Sequence, residues 1–424
     1  MSKKVLIITY YWPPAGGPGV QRWLKFVKYL PEFDVEPIVF VPENPSYPIT
    51  DTSLETDIPE GIEVLKFPIS EPYKWAKLFS KQTKNISKGV IPKKANQGLI
   101  SRLLLYIRGN FFIPDARVGW VSPSVKFLEN YLQTNQIETV VTTGPPHSLH
   151  LIGLNLKARF PIKWIADFRD PWTTIDYHSE LKLTEASKRK HKKLEKEVLQ
   201  TCDEVVVTSK TTKEEFENIT SKPISVITNG YDTEKIGQVV LDSKFSMSHI
   251  GSLLSHRNPE ILWEVLQELT QEDETFAADL QINLVGLVSA SVLESISNYG
   301  LNKYLNNVGY VSHKASVVYQ KQSQLLLLIE ANKPEKRCII PGKLFEYMTS
   351  NRPILAFGPS SSDVSQILKE TNTGQYFLYS DKENLKQTIR SFYESYKQNA
   401  LQTFPVGLQK YSRKALTKEL SKLL

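Results

Sequence analysis

Residues 325–359 read LLLLIEANKPEKRCIIPGKLFEYMTSNRPILAFGP. The run Leu325 to Ile329 is long enough for a strand buried on both faces, and Pro353 to Phe357 gives a second. A polar loop with Pro334 and Pro341 separates the first from a short helix. Pro341-Gly342 marks the start of that helix, and Leu344, Phe345 and Met348 share one apolar face. The unpaired N–H groups and dipole of a helix start favour an anion by roughly 0.3–1 kcal/mol, and Lys343 stands in that first turn. One turn on, Glu346 can accept hydrogen bonds from two ligand hydroxyls. A phosphate at the helix start with a diol one turn away describes a nucleoside diphosphate. The same features also suit a solvated surface helix, because Pro-Gly starts and Lys–Glu pairs three apart are common.

The 424 residues suit two domains of near-equal size, and the 41% hydrophobic content is that of a globular chain. No run of about 18 apolar residues occurs, and Met1-Ser-Lys-Lys4 leads straight into a strand-like run, which predicts a cytoplasmic protein without a signal peptide. The two cysteines, Cys202 and Cys338, have neither zinc nor disulfide spacing. A net charge of +7 with a pI near 9.0 suits anionic partners such as nucleotides, diphosphate-lipids or a membrane surface. No nucleic-acid motif accompanies that charge.

The first half opens with a buried strand at Val5–Tyr10, a Gly-rich loop and helical spacing over Val20–Leu30. Gly16 and Gly17 let the backbone approach a ligand, or simply make a tight turn. Gly17-Pro-Gly19 lacks the third glycine of a dinucleotide fingerprint, which disfavours NAD. Arg22 is either a phosphate contact on an exposed helix face or a solvated charge. Residues 72–114 carry nine Lys and Arg and no acid, interleaved with Trp75, Leu78, Phe79, Leu103–Leu105, Phe111 and Phe112. That composition suits a segment lying on an anionic bilayer at roughly 1 kcal/mol per basic residue, or a basic excursion packed on the first domain. The strand Thr139–Thr143 ends at Gly144-Pro-Pro-His147, and Lys163-Trp-Ile-Ala-Asp-Phe-Arg-Asp170 ends in charge. Strand ends are where open α/β sheets bind ligands, so His147 is a candidate, with packing or capping as the alternative, and of Asp167, Arg169 and Asp170 some must pair or face the cleft. Glu185–Leu199 reads as a solvated, highly charged helix. In the second half Met247–Ile250, Gly251 and a loop with Arg257 precede a helix, an arrangement that can cradle phosphate.

The strings PGKLFEYMTSNRPILA (341–356), YYWPPAGGPGVQR (10–22) and RDPW (169–172) resemble the signatures of retaining glycosyltransferases of family 4. The resemblance implies an α/β chain of two facing Rossmann-like domains, the GT-B fold, with a cleft between them. Residues 1–232 would form an acceptor domain and 233–400 a nucleotide-sugar domain, with 401–424 crossing back. It implies sugar transfer with retention from a nucleoside diphosphate donor, with no cofactor and no metal, to a lipid-linked or saccharide acceptor at the inner face of a membrane. Donor contacts fall to Gly17, Gly251, Arg257, Val311, Pro341, Gly342, Lys343, Leu344, Phe345 and Glu346, and acceptor contacts to Gly16, His147 and Asp170. Asp170, Arg257 and Lys343 are the catalytic candidates, Arg169 being read as an ion-pair partner. Many members carry a second glutamate eight residues before the helix glutamate. Here that place is Cys338, which leaves Glu330, Glu335 or the backbone of 339–342 to meet the sugar. A non-catalytic nucleotide-sugar binder and a nucleotide-sugar epimerase or hydrolase share the same expected fold.

Overall fold

The computed structural model describes residues 2–71, 99–175, 178, 181–232, 237 and 239–424. Most of the basic segment, including Lys74 to Lys94, therefore lies outside the described residues. The chain divides into two compact units, Met1–Asn229 with Arg413–Leu424, and Gly230–Ser412.

The first unit is a seven-stranded sheet, ordered β3-β2-β1-β4-β5-β6-β7. Its strands are β1 (Lys3–Ile8), β2 (Val35–Pro42), β3 (Glu63–Phe67), β4 (Thr139–Gly144), β5 (Lys163–Phe168), β6 (Glu204–Val207) and β7 (Ile224–Val226). Every pairing is parallel. A parallel sheet needs a crossover for each strand, and the crossovers cover both faces, so the central strands must be apolar throughout. In β1, Leu6 and Ile8 enter one apolar cluster and Val5 and Ile7 the cluster on the other face. The C-terminal helix Arg413–Ser421 contributes Leu416 and Leu420 to the second cluster, beside Trp23 and Val27.

The second unit is a six-stranded sheet, β10-β9-β8-β11-β12-β13. It comprises β8 (Phe245–Ile250), β9 (Leu280–Val285), β10 (Leu305–Gly309), β11 (Leu325–Ile329), β12 (Ile354–Phe357) and β13 (Gly374–Phe377), again all parallel. The LLLLI run behaves as its composition requires: Leu325, Leu327 and Ile329 pack on one face, Leu326 and Leu328 on the other. Burying each such leucine is worth about 1.5–3 kcal/mol. In both units the order of strands reverses beside the first one, between β1 and β4 and between β8 and β11. The loops after those strands diverge to opposite faces and leave room at the carboxyl edge.

Two charged expectations change in the first unit. Arg22 is neither exposed nor solvated: its side chain is 1% exposed and pairs with Asp167 at 2.8 Å. Asp167 also accepts from Trp23 Nε1 and Thr143 Oγ1, each at 2.7 Å, and Arg22 Nη1 donates to Thr228 O at 2.9 Å. This joins the helix Pro18–Tyr29 to the ends of β4 and β5 and to the chain beyond β7. Although burial raises the Asp167 carboxyl, Arg22 and the neutral donors outweigh it and hold the pKa below its ordinary value. The helix Glu185–Thr201 is likewise not solvated all round, since it buries His191, Glu195, Val198 and Leu199.

Removing one partner of a buried ion pair leaves the other charge stranded. Arg22→Ala is therefore expected to cost about 3–5 kcal/mol of stability in denaturant unfolding. Arg22→Lys should recover little, because one ammonium cannot serve Asp167 and the Thr228 carbonyl together. A loss below about 1 kcal/mol for the alanine variant would show that this network is not what joins these elements.

Candidate active site

The carboxyl edge of the second unit gathers the residues with the most chemistry. β8 ends at Ile250, and Gly251 follows with φ +117°, a backbone region that favours glycine. A Cβ there would lie 3.4 Å from Lys343 Nζ. Lys343 reaches across from the first turn of the helix Gly342–Met348, donating to Ile250 O at 3.2 Å and lying 3.4 Å from His249 Nε2. The Tyr347 hydroxyl, one turn along, accepts from Ile250 N at 3.0 Å and donates to Ile250 O at 3.2 Å, locking the helix to the end of β8.

Arg257 lies in the loop after β8, and its Nη2 is 3.9 Å from Glu330 Oε2 at the end of β11. Glu330 is 5% exposed. Its Oε1 and the Nε of Arg257 are both buried without a hydrogen-bond partner. Burial pulls the Lys343 ammonium down to about 8; Glu330 and Glu346 oppose that shift and Arg257 adds to it. Lys343, Arg257 and Glu330 thus form one electrostatic cluster at the strand-order reversal, with unsatisfied polar atoms of both kinds.

Glu346 sits one turn from Lys343, but its carboxylate already has protein partners. Oε2 accepts from Gln320 Nε2 at 2.9 Å, and Oε1 is 3.3 Å from His313 Nε2. A carboxylate has about four lone-pair directions, so this leaves capacity for further donors. Leu344 and Phe345 are fully buried in the core beneath the helix, so only their backbone is available to a ligand. Val311 follows β10 and packs partly buried on the same cluster. Cys338 is buried, its Sγ 3.7 Å from Glu335 O.

In the first unit the candidates take different environments. Gly17, with φ +99°, precedes the helix Pro18–Tyr29 and has open space where a Cβ would stand, whereas a Cβ on Gly16 would press on Ile49. His147 is 2% exposed, with neither ring nitrogen partnered, and stacks on Trp172 at 5.0 Å and 4°. Burial lowers its pKa well below the ordinary histidine value. The helix start beside it is capped by Asp115, whose carboxylate accepts from Ser148 N and Oγ at 2.9 Å. Arg169, expected to be an ion-pair partner, donates to the carbonyls of Gly144 and Pro145 and lies over the Tyr11 ring. Asp170 is half-buried directly after it.

His249 is absent from the expectations drawn from sequence. Its signal was a titratable residue in the Phe245–Ile250 strand, every residue of which is buried. Gln320 and His313 carried no signal, since their role is set by where their helix His313–Gln322 lands. Among the described residues no group of three or more His, Cys, Asp or Glu is placed to hold a metal ion.

Residues 90–235 match the family model described as Glycosyltransferase Family 4. No curated protein matches the chain by sequence. Among solved structures, sucrose-phosphate synthase from Thermosynechococcus elongatus superposes with a TM-score of 0.63 at 13% identity, covering 99% of this chain and 98% of that one. Anabaena HepE in complex with UDP gives 0.60 at 12% identity, covering 99% and 98%. WaaG, a glycosyltransferase involved in lipopolysaccharide biosynthesis, gives 0.55 at 11% identity, covering 99% of each chain. At these identities the likeness carries the fold, two parallel α/β sheets as in GT-B structures over the whole chain. Residues 90–235 thus match the model of glycosyltransferase family 4, within a chain whose fold is that of GT-B structures.

Proposed function

We propose that the chain transfers a sugar from a nucleoside diphosphate donor to an acceptor hydroxyl with retention of anomeric configuration, the acceptor being a lipid-linked or surface glycan. The observation that carries this reading is the meeting of Lys343, Arg257 and Glu330 at the carboxyl edge of β8 and β11. Breaking a glycosidic bond to a diphosphate builds negative charge on the leaving oxygen, and fixed cations stabilise it without reorganising. Lys343, from the first turn of the helix Gly342–Met348, and Arg257, from the loop after β8, bring two like charges to one edge, an arrangement that an anion relieves. The partnerless Arg257 Nε suits a phosphate oxygen, and the partnerless Glu330 Oε1 suits a sugar hydroxyl, which takes over the place left by Cys338. Glu346 serves the ribose diol beside Gln320. Val311 and the backbone of Pro341 to Phe345 line the nucleotide, and Asp170 with Gly16 belongs to the acceptor side. The chemistry assigned to these side chains requires no metal.

A lipid-linked acceptor is supported by the helix Leu99–Phe111, which contains no acidic residue and carries Arg102 and Arg108. On it Leu103 is 57% exposed, Tyr106 41% and Phe111 72%, while Leu105 is buried against Leu181. No described helix is long and apolar enough to cross a membrane. Exposed aliphatic and aromatic groups beside basic ones suit the surface of an anionic bilayer.

Four outcomes are expected. In a panel of UDP-, GDP- and dTDP-sugars, at least one raises the melting temperature and is slowly hydrolysed, with UDP compounds tried first because a fold neighbour holds UDP. Lys343→Ala and Arg257→Ala each lower the rate roughly a hundredfold or more. A panel with no melting shift removes the donor site, and a shift without transfer or hydrolysis points to a non-catalytic binder. Because the charged form of Lys343 is the one that meets diphosphate, kcat/KM for the donor should fall as pH rises through about 8, and Lys343→Ala should lack that limb. Finally, phosphatidylglycerol vesicles should co-sediment the chain, and neutral phosphatidylcholine vesicles should not. Leu103→Ser with Phe111→Ser should weaken that co-sedimentation severalfold, and equal binding by wild type and double variant would refute the bilayer reading.

A further inference from the structure

His249 is fully buried on β8, one residue before the strand ends. Its Nδ1 lies 3.1 Å from Leu327 O on β11, the neighbouring strand across the reversal of strand order. A backbone carbonyl only accepts, so Nδ1 carries the hydrogen and donates it. In a neutral ring Nε2 is then a lone pair, and the group 3.4 Å from it is the Lys343 ammonium, which only donates. Leu327 O thus sets the hydrogen on Nδ1, and the Ser252 carbonyl also lies near the ring. A second proton on the ring would place an N–H against an ammonium in a dry site, and burial together with the charge of Lys343 keeps the imidazole neutral.

We propose that His249 is a positioning residue that holds the Lys343 ammonium at the edge of β8 through a neutral acceptor, leaving its full charge to the donor diphosphate. This rests on the reading that Lys343 meets that diphosphate. An ammonium has three hydrogens. His249 Nε2 and Ile250 O take two, and Gly251, lacking a side chain, leaves the neighbourhood of Nζ uncovered. A carboxylate at position 249 would also hold the lysine, but would cancel the charge the leaving group needs. The other charged groups acting on Lys343 are Arg257, Glu330 and Glu346, none on β8 itself.

The experiment compares His249→Gln, His249→Phe and His249→Glu with wild type, reading UDP, GDP and dTDP affinity by calorimetry and donor kcat/KM against pH. Glutamine can offer one donor and one acceptor at its tip, so it should stay within about threefold of wild type. Phenylalanine removes the acceptor and should cost about tenfold in nucleoside diphosphate affinity, while moving the alkaline limb to lower pH. Glutamate should move the limb to higher pH yet weaken binding. A purely structural histidine would lower melting temperature in all three without moving the limb, and that result overturns the proposal. Where phenylalanine fails to fold, the opposite behaviour of the glutamine and glutamate variants decides. If Lys343→Ala itself leaves affinity and limb unchanged, the donor-site reading fails instead, which distinguishes the two failures.

Discussion

A parallel sheet covered on both faces has only the ends of its strands to offer a ligand, and that constraint governs both units. Alternate residues of β1 and β11 are committed to opposite cores, so no side chain within either strand is available for chemistry. What remains is the carboxyl edge, widest where the strand order reverses. There the loop after β8 supplies Gly251 and Arg257, while the stretch after β11 supplies Glu330 and, further on, Lys343. Topology brings together residues 251, 257, 330 and 343 because the two middle strands are neighbours. No local preference of the intervening sequence is needed.

The two units treat charge at this edge in opposite ways. In the first, Arg22 and Asp167 saturate each other and recruit Trp23, Thr143 and the Thr228 carbonyl. A fully satisfied buried network is rigid and has no remaining valence for a ligand. In the second, Arg257 and Glu330 sit at 3.9 Å, too far for a direct hydrogen bond, and each keeps an unpartnered buried atom. Unsatisfied buried polar atoms cost about 1–3 kcal/mol apiece, a cost that a ligand supplying the missing partners would remove. The first network is therefore closed, and the second keeps open valences, which supports the proposed donor site.

This contrast also explains what could be read from the residues in order. The buried strands announced themselves through unbroken apolar runs, as did the PGKLFEY helix through its Pro-Gly start. β3 and β13 did not, because edge strands of mixed exposure carry no apolar run: Glu63 and Lys66 are exposed in one, and Gln375 in the other. The fate of Arg22 was illegible because its partner lies 145 residues away, and only the assembled sheet decides between solvent, phosphate and Asp167. Glu346 was legible as a carboxylate near the proposed donor site, but not as one already shared with Gln320 and His313, whose helix precedes β11 in the chain.

His249 marks where reading by residue type fails most instructively. A histidine inside a strand reads as packing, and by burial alone it is packing. The role proposed for it comes from hydrogen-bond polarity, the Leu327 carbonyl at Nδ1 and the Lys343 ammonium near Nε2. The consequence is electrostatic. Around Lys343 stand Arg257 and two carboxylates, Glu330 and Glu346, so with Lys343 protonated the two cations are already balanced. A further carboxylate in place of the histidine would leave the group net negative. On the proposed reading, a neutral imidazole supplies the orientation a carboxylate would give without adding negative charge where an anionic leaving group forms, and burial makes that difference larger than it would be in water.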